Sequence, residues 1–444
     1  MSTAQITETV DQLMPRLRAT LEDLVRIPGV SATSPDEVRR SAEAVKELFE
    51  NAGASGTRLL EVEGAHPAFY GEIPGPDGAP TVLLYAHHDV QPPGPGWERD
   101  PFEPWEENGR LFGRGVGDDK SGVVMHLASA LVHGGAPPVT LKFFIEGEEE
   151  IGSPYLPKFL ETYGDLLAAD VIVIGDSGNW RVGAPSFTTS LRGLVDCTVE
   201  VRTHGHAVHS GLFGGVVPDA ISALSRVLAT LHDENGSVAV EGLVSRDADP
   251  LDLTEDEIRG QVDAVDGLEF IGTGSLTSRL WHQPAIAVLG IDAPPVGEAA
   301  NALIPVARAK VSMRLAPGQD PAAAMSALES HLVAAAPWGA DVTVLDGATG
   351  ESFALDTGGD AYAAWSEGFR AAWGVDPVET GVGGSIPFVA SFNDAMPDAP
   401  ILLTGVIDPT VNAHGPNESV DLTDLRNACV AQALSLIHIS EPTR

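Results

Sequence analysis

Three short apolar runs, TVLLYA at 81–86, VTLKFFI at 139–145 and DVIVIG at 170–175, constrain this chain more than any other feature. Each is nearly continuous in hydrophobic residues, and helix-like stretches such as SGVVMHLASALVHGG separate them. Strands of that kind are buried on both faces, as in a mostly parallel sheet with helices on each side. Helical spacing precedes them at 5–26, through Leu13, Leu17, Leu21 and Leu24, and at 37–52, through Ala42, Ala44, Val45, Leu48 and Phe49. The pattern predicts an α/β domain.

Past residue 190 the periodicity changes. Val195, Cys197, Val199 and Val201 alternate with Asp196, Thr198, Glu200 and Arg202, and Ala307, Ala309, Val311 and Met313 alternate with Arg308, Lys310, Ser312 and Arg314. Strands with one wet face, together with the helix pattern at 218–232, predict an α+β domain with an antiparallel sheet. The helical pattern of 361–374 and the apolar run 401–406 then resume the first style. At 444 residues the chain exceeds one ordinary domain of about 100–200 residues. We therefore expect a catalytic-type α/β domain in two pieces, 1–190 and 356–434, interrupted by an insertion at 191–355. The acid-rich stretch 241–275 reads as a solvated loop with a short helix. Residues 435–444, ending in SEPTR, read as a non-native tail that breaks the preceding helix.

Charge narrows the functional classes. Lysine and arginine number 26 against 63 aspartates and glutamates, a net charge of −37, which repels nucleic acid and anionic lipid. The sequence contains no apolar run near the roughly 18 residues of a membrane span, and MSTAQITETV lacks a basic start leading into an apolar stretch. The expectation is a cytoplasmic protein with no nucleic-acid or membrane partner. Cys197 and Cys429 sit in apolar patterns that suit reduced, buried thiols.

Acidic triplets are an ordinary consequence of this composition, but their placement is informative. Glu148–Glu150 follow one apolar run, His87 and Asp89 another, and Asp176 the third. In an open parallel sheet the carboxyl ends of the strands share one crevice, so residues distant in sequence converge there. Carboxylates and imidazoles gathered in one pocket suit Zn²⁺, Mn²⁺ or Co²⁺, and more carboxylates than one ion needs suggest two ions sharing a bridge.

The segments A-H-H-D-V-Q (86–91), G-R-G-V-G-D-D-K-S-G (113–122), E-G-E-E-E-I-G-S (146–153), I-G-D-S-G (174–178) and A-H-G-P-N-E (413–418) occur in that order. Together they resemble the metal-site motifs of the dinuclear zinc peptidase superfamily. That group comprises carnosinase-type dipeptidases, acetylornithine deacetylase, succinyl-diaminopimelate desuccinylase and a folate-cleaving carboxypeptidase. The resemblance implies a zinc-exopeptidase-like fold with an inserted lid and dimerisation domain. It implies two Zn²⁺ per chain, with His87 and Asp176 on one, Glu150 and His414 on the other, and Asp118 bridging. Asp89 would orient His87, Glu149 would be the general base, and a cis peptide would fall at Asp118–Asp119.

V-H-S-G-L-F-G-G (208–215) is similar to the lid motif whose histidine, here His209, stabilises the oxyanion in a partner subunit of a homodimer. Asn301 and Arg314 match lid positions that bind substrate. T-G-V-G-G-S-I-P (380–387) resembles the loop whose Gly384 and Ser385 cradle a substrate carboxylate, although carnosinase-type members carry Arg-Glu where this chain has Gly381 and Val382. The long motif forms favour hydrolysis of dipeptides or small peptides. The alternatives are an N-acyl amino acid deacylase or desuccinylase, and, in another class, a metal-free binding or scaffold homologue.

Overall fold

The computed structural model describes residues 1–383 and 387–440, divided into two compact units. The first begins with α1 (Thr3–Val25), whose N-terminal Ser2 and Gln5 cap each other's amides reciprocally. It buries Ile6, Val10, Leu17, Leu21 and Leu24. α2 (Pro35–Asn51) opens on a proline, which needs no amide partner in a first turn. There follow β1 (Ser55–Leu60), β2 (Ala68–Ile73), β3 (Thr81–His87), α3 (Lys120–Val132), β4 (Thr140–Glu146), α4 (Leu156–Leu167) and β5 (Val171–Ile174). α3 is buried on nearly every side, which explains a helix with no polar face.

The second unit comprises Ser190–Ala354 with Gly381–Gly383. Its sheet contains β6 (Gly193–Arg202), β7 (Ala285–Asp292), β8 (Val306–Leu315) and β9 (Asp341–Gly350), in the order β7-β8-β6-β9 and antiparallel throughout. Val311 stands opposite Cys197 and Lys310 opposite Thr198, so the alternation seen in sequence sorts cleanly onto two faces. The apolar face packs under Ala220, Leu224 and Val227 of one helix (Ala220–Ala229) and Ala324, Leu328 and Leu332 of another (Pro321–Ala334). The wet face carries cross-strand ion pairs, Arg308 with Glu200 and Lys310 with Asp196.

The chain then returns to the first unit through α5 (Asp360–Trp373), α6 (Pro387–Ala395), β10 (Ile401–Leu403) and α7 (Leu422–Ser440). The completed sheet runs β1-β2-β4-β3-β5-β10, with β4, β3, β5 and β10 parallel and β1 and β2 antiparallel at one edge. One face holds the main hydrophobic core with α1, α3 and α7. The other holds an aromatic layer in which Tyr85 stacks on Phe388 at 5.2 Å and Phe144 meets Phe159 at 6.1 Å. The helix break expected at Ser435 does not occur. α7 continues to Ser440 because Leu434, Ser435 and Leu436 are buried against the core, and burial there outweighs the poor helix signal of SLIHIS. Residues 441–444 lie outside the described residues.

His126, to which the sequence assigns no partner, ties three elements together. Its Nε2 lies 2.8 Å from the Tyr85 carbonyl and its Nδ1 3.1 Å from Gln432 Oε1, while Gln432 donates to Ser129 Oγ at 2.8 Å. Burial pushes this imidazole down to about 4, so the folded state holds it neutral while an unfolded chain protonates it near 6.5. Stability is thus present above pH 6.5 and is lost as pH falls toward 4, by up to about 3 kcal/mol for this group. Melting temperatures recorded between pH 7 and 4.5 should fall less steeply for His126→Asn than for the parent. Parallel slopes would show that His126 is not the titrating group.

Candidate metal centre

Because β4, β3 and β5 run parallel, their carboxyl ends open on one edge, and each delivers a functional side chain there. His87 is the last residue of β3, Glu149 and Glu150 form a single 3₁₀ turn just after β4, and Asp176 lies two residues beyond β5. Asp118 sits immediately before α3, joined to Asp119 by a cis peptide, and His414 comes from the loop between β10 and α7. That loop turns through left-handed residues Asn412, His414 and Asn417, at φ of 57°, 62° and 57°.

The geometry centres on Asp118. Its Oδ1 lies 3.1 Å from His87 Nε2 and its Oδ2 3.0 Å from His414 Nε2, so the two oxygens of one carboxylate face two different imidazoles. Glu150 Oε2 is 3.1 Å from His414 Nε2, and Asp176 Oδ2 and Glu149 Oε2 are each 3.9 Å from His87 Nε2. Two ligands at 2.0–2.1 Å from one tetrahedral ion stand about 3.3 Å apart, close to these spacings. His87, Asp118 and Glu150 form one compact ligand group.

The charge balance also calls for cations. Hydrogen bonds donated by His414 to the Asp118 and Glu150 carboxylates hold its imidazole up at about 10, and Asp118 and Asp89 raise His87 against the opposing effect of its burial. Burial would lift Asp118, yet the two imidazoles hold it well below the usual carboxylate range. Burial raises Asp176 well above that range, with Asp118, Glu149 and Glu150 adding to it. Hard carboxylates and imidazoles in this proportion fit a pair of divalent ions.

Several side chains position this set. Asp89 is fully buried, and its Oδ1 lies 3.3 Å from His87 Nδ1. The same carboxylate accepts the amides of Glu149 and Glu150 at 3.2 and 3.1 Å, so it orients the imidazole and the glutamate turn together. Asp119 caps α3 through the Gly122 amide and also accepts the His87 amide. It completes a second compact group with His87 and Asp176. Gly122 has no room for a side chain, since a Cβ would stand 2.3 Å from Asp119 Oδ1.

Glu418 had no role in the sequence reading beyond its place in A-H-G-P-N-E. It accepts the amides of Gly117 and Asp118 at 2.9 and 3.1 Å and pairs with Arg114 at 2.6 Å, both side chains being buried. It thereby ties the His414 loop to the Asp118 loop. Arg114 and Glu418 belong to different motifs 304 residues apart, so the pair leaves no local signal in the sequence.

The second unit holds His209, Asn301 and Arg314. His209 and Ala302 pair across a two-stranded ribbon, and the Asn301 carbonyl accepts the Ser210 amide at 3.0 Å, so His209 and Asn301 are neighbours. His209 is exposed, with Nδ1 accepting from the Gly211 amide. Arg314 lies on β8 between β7 and β6, an interior strand and not a sheet edge. Gly384 and Ser385 lie outside the described residues.

Residues 83–437 match the family model described as peptidase family M20/M25/M40. A cysteinylglycine-S-conjugate dipeptidase of Corynebacterium striatum is 36% identical over 413 residues, covering 90% of each chain. A beta-Ala-His dipeptidase of Rattus norvegicus is 27% identical over 447 residues, covering 92% of this chain and 86% of its own. Among solved structures, a dipeptidase of Saccharomyces cerevisiae superposes with a TM-score of 0.76 at 23% identity, over 100% of this chain and 99% of that one.

Removing the Glu418 charge leaves Arg114 buried and unpaired, a defect of about 3–5 kcal/mol. Glu418→Gln should lower the melting temperature and reduce the metal retained per chain after gel filtration, read by elemental analysis. Full metal content at an unchanged melting temperature would remove Glu418 from the site's scaffold.

Proposed function

We infer the reaction from a fixed premise: the chain belongs to peptidase family M20/M25/M40. It is a metal-dependent hydrolase of dipeptides, and the single observation that carries the mechanism is the split of Asp118's oxygens between two imidazoles. His87 and Asp176 would hold one Zn²⁺, Glu150 and His414 the second, and Asp118 both, with Mn²⁺ or Co²⁺ as workable substitutes. A metal pair of this kind lowers the pKa of a shared water and polarises the scissile carbonyl.

Glu149 supplies the proton chemistry. Burial, followed by the charges of Asp118, Glu150 and Asp89, pushes its carboxyl up to about 7, where it can take a proton from water and return it to the leaving amine near neutral pH. His87 is held for its part by Asp89, so the base and the nearer ligands share one rigid anchor. Cysteinylglycine and carnosine-like dipeptides are the substrate class, since relatives over most of the chain are named for them. Gly381 and Val382, in place of Arg-Glu, favour a second reading in which small N-acyl amino acids are also cleaved. The metal-free scaffold alternative is the weaker reading, because the chain matches a peptidase family and its relatives are named dipeptidases.

Arg314 and Asn301 would bind substrate by their match to lid positions, with Gly384 and Ser385 receiving its carboxylate. The second unit would also supply a homodimer contact. β7 is an edge strand whose Val288, Leu289 and Ile291 are 42, 65 and 55% exposed, an apolar edge that a second copy would cover. In such a dimer His209 would act on the partner subunit's substrate. Among the described residues no helix is long and apolar enough to cross a membrane, and both cysteines are buried, which fits a cytoplasmic enzyme.

Glu149→Gln should retain its metal but lose about 10² or more in kcat on dipeptides, and chelation should abolish activity of the parent. A panel of dipeptides, N-acetyl and N-succinyl amino acids, run with each metal, ranks the substrates. Full activity after exhaustive demetallation contradicts the mechanism. For the lid, mixing His209→Ala with Glu149→Gln chains should restore about a quarter to a half of parental activity in verified heterodimers if one intact site forms per dimer. No recovery assigns His209 to its own chain.

A further inference from the structure

The second unit contains a cavity of about 410 Å³ that the peptidase reading leaves unused, a volume in the range of small-molecule sites. Its walls are mostly apolar, with Val238, Val240, Leu243, Phe270, Leu276 and Ile286 among them. Two arginines, Arg192 and Arg279, join them with a few neutral polar side chains such as Ser237, Thr273 and Gln283, and with His232. Although the chain carries 63 aspartates and glutamates, none of the described residues lining this cavity is acidic.

Arg192 is the unusual member, since it is only 6% exposed. One nitrogen, Nη2, donates to the carbonyls of Arg279 and Gln283, but Nε is buried without an acceptor, and so is Nε of Arg279. A buried donor left without an acceptor costs free energy, more so when it is charged. Arg192 faces the charge of another cation, Arg314, and burial together with that charge pulls it down to about 10. A buried guanidinium is ordinarily paired with a carboxylate. Here the protein supplies carbonyls only, so the matching charge would come from a ligand.

We propose that this cavity is a binding site for an amphipathic monocarboxylate, its carboxylate on the guanidinium groups of Arg192 and Arg279 and its hydrocarbon portion among Val238, Val240, Phe270 and Ile286. The absence of any acid on the described walls selects a simple carboxylate over a zwitterionic amino acid, whose ammonium would meet only positive charge. The site lies wholly within the second unit and does not depend on the metal centre. Dispersion and apolar burial supply affinity, and the guanidinium groups supply selection for the anion.

Decanoate and its uncharged counterpart decanol distinguish this proposal by calorimetry and thermal shift on the intact, metal-loaded protein. Decanoate should bind near one per chain and raise the melting temperature, with decanol at least about tenfold weaker, the usual selectivity of a charged hydrogen bond. Arg192→Gln should bring the two ligands to similar affinity. If that variant fails to fold, Arg279→Gln at a half-buried position and Thr273→Trp at an exposed lining position, which adds a bulky ring to the cavity wall, test the same point. Thr273→Trp should abolish decanoate binding while leaving dipeptide hydrolysis by the parent site unchanged. Equal binding of decanoate and decanol, no binding of either, or decanoate binding that survives Thr273→Trp would each overturn the assignment.

Discussion

A carboxylate that must face two ways sets the terms for the whole first unit. Asp118 can present one oxygen to His87 and the other to His414 only if its backbone is held, its neighbours are fixed and the two imidazoles arrive from separate elements, the end of β3 and the loop before α7. Glu418 holds the backbone, Asp119 anchors the first turn of α3 and the His87 amide, and Asp89 fixes the far side of the imidazole. The parallel sheet brings β3, β4 and β5 to a common edge, and the buried α3 carries Asp118 against it. The positive charge that six clustered acids demand, Asp89, Asp118, Asp119, Glu149, Glu150 and Asp176, is therefore met by geometry that suits metal ions, and less well by protons on two imidazoles alone.

The parts legible in sequence were those that repeat a local rule. Runs such as TVLLYA show strands buried on both faces, and His87 and Asp176 follow such runs closely enough that strand ends alone place them in one crevice. The alternation through Cys197 and Val311 likewise projected onto the sheet register without error. His414 was reachable only through motif resemblance, because a left-handed loop between β10 and α7 has no periodicity to read. Glu418 was invisible for a different reason: its importance lies in accepting backbone amides from a loop some three hundred residues away. The continuation of α7 past Ser435 shows the same limit, since burial of Leu434 and Leu436 against a distant core decided it.

The acid-rich stretch from 241 to 275 illustrates how composition can mislead about placement. Read as a solvated loop, it does contain a short exposed helix at Glu255–Gln261. Yet Leu243, Ile258, Phe270 and Ile271 from the same stretch line an apolar cavity, while its acids are left off the cavity wall. Segregation of this kind has no periodic signature, because apart from Ile258 in the short helix the apolar positions belong to loops, and the surface they share exists only after folding.

Charge distribution links the two units in chemical terms. With a net charge of −37, acids outnumber basic residues 63 to 26, and exposed arginines such as Arg26, Arg39 and Arg370 form surface ion pairs that contribute little. A cation without such a partner is therefore more informative here than it would be in a neutral protein. In the first unit the excess is negative and buried, and it selects divalent cations. In the second, Arg192 is buried with Arg314 as its charged neighbour, and it selects an anion. Both sites follow from one constraint: a low-dielectric interior does not hold uncompensated charge, so the sign of the imbalance identifies the kind of ligand that completes it.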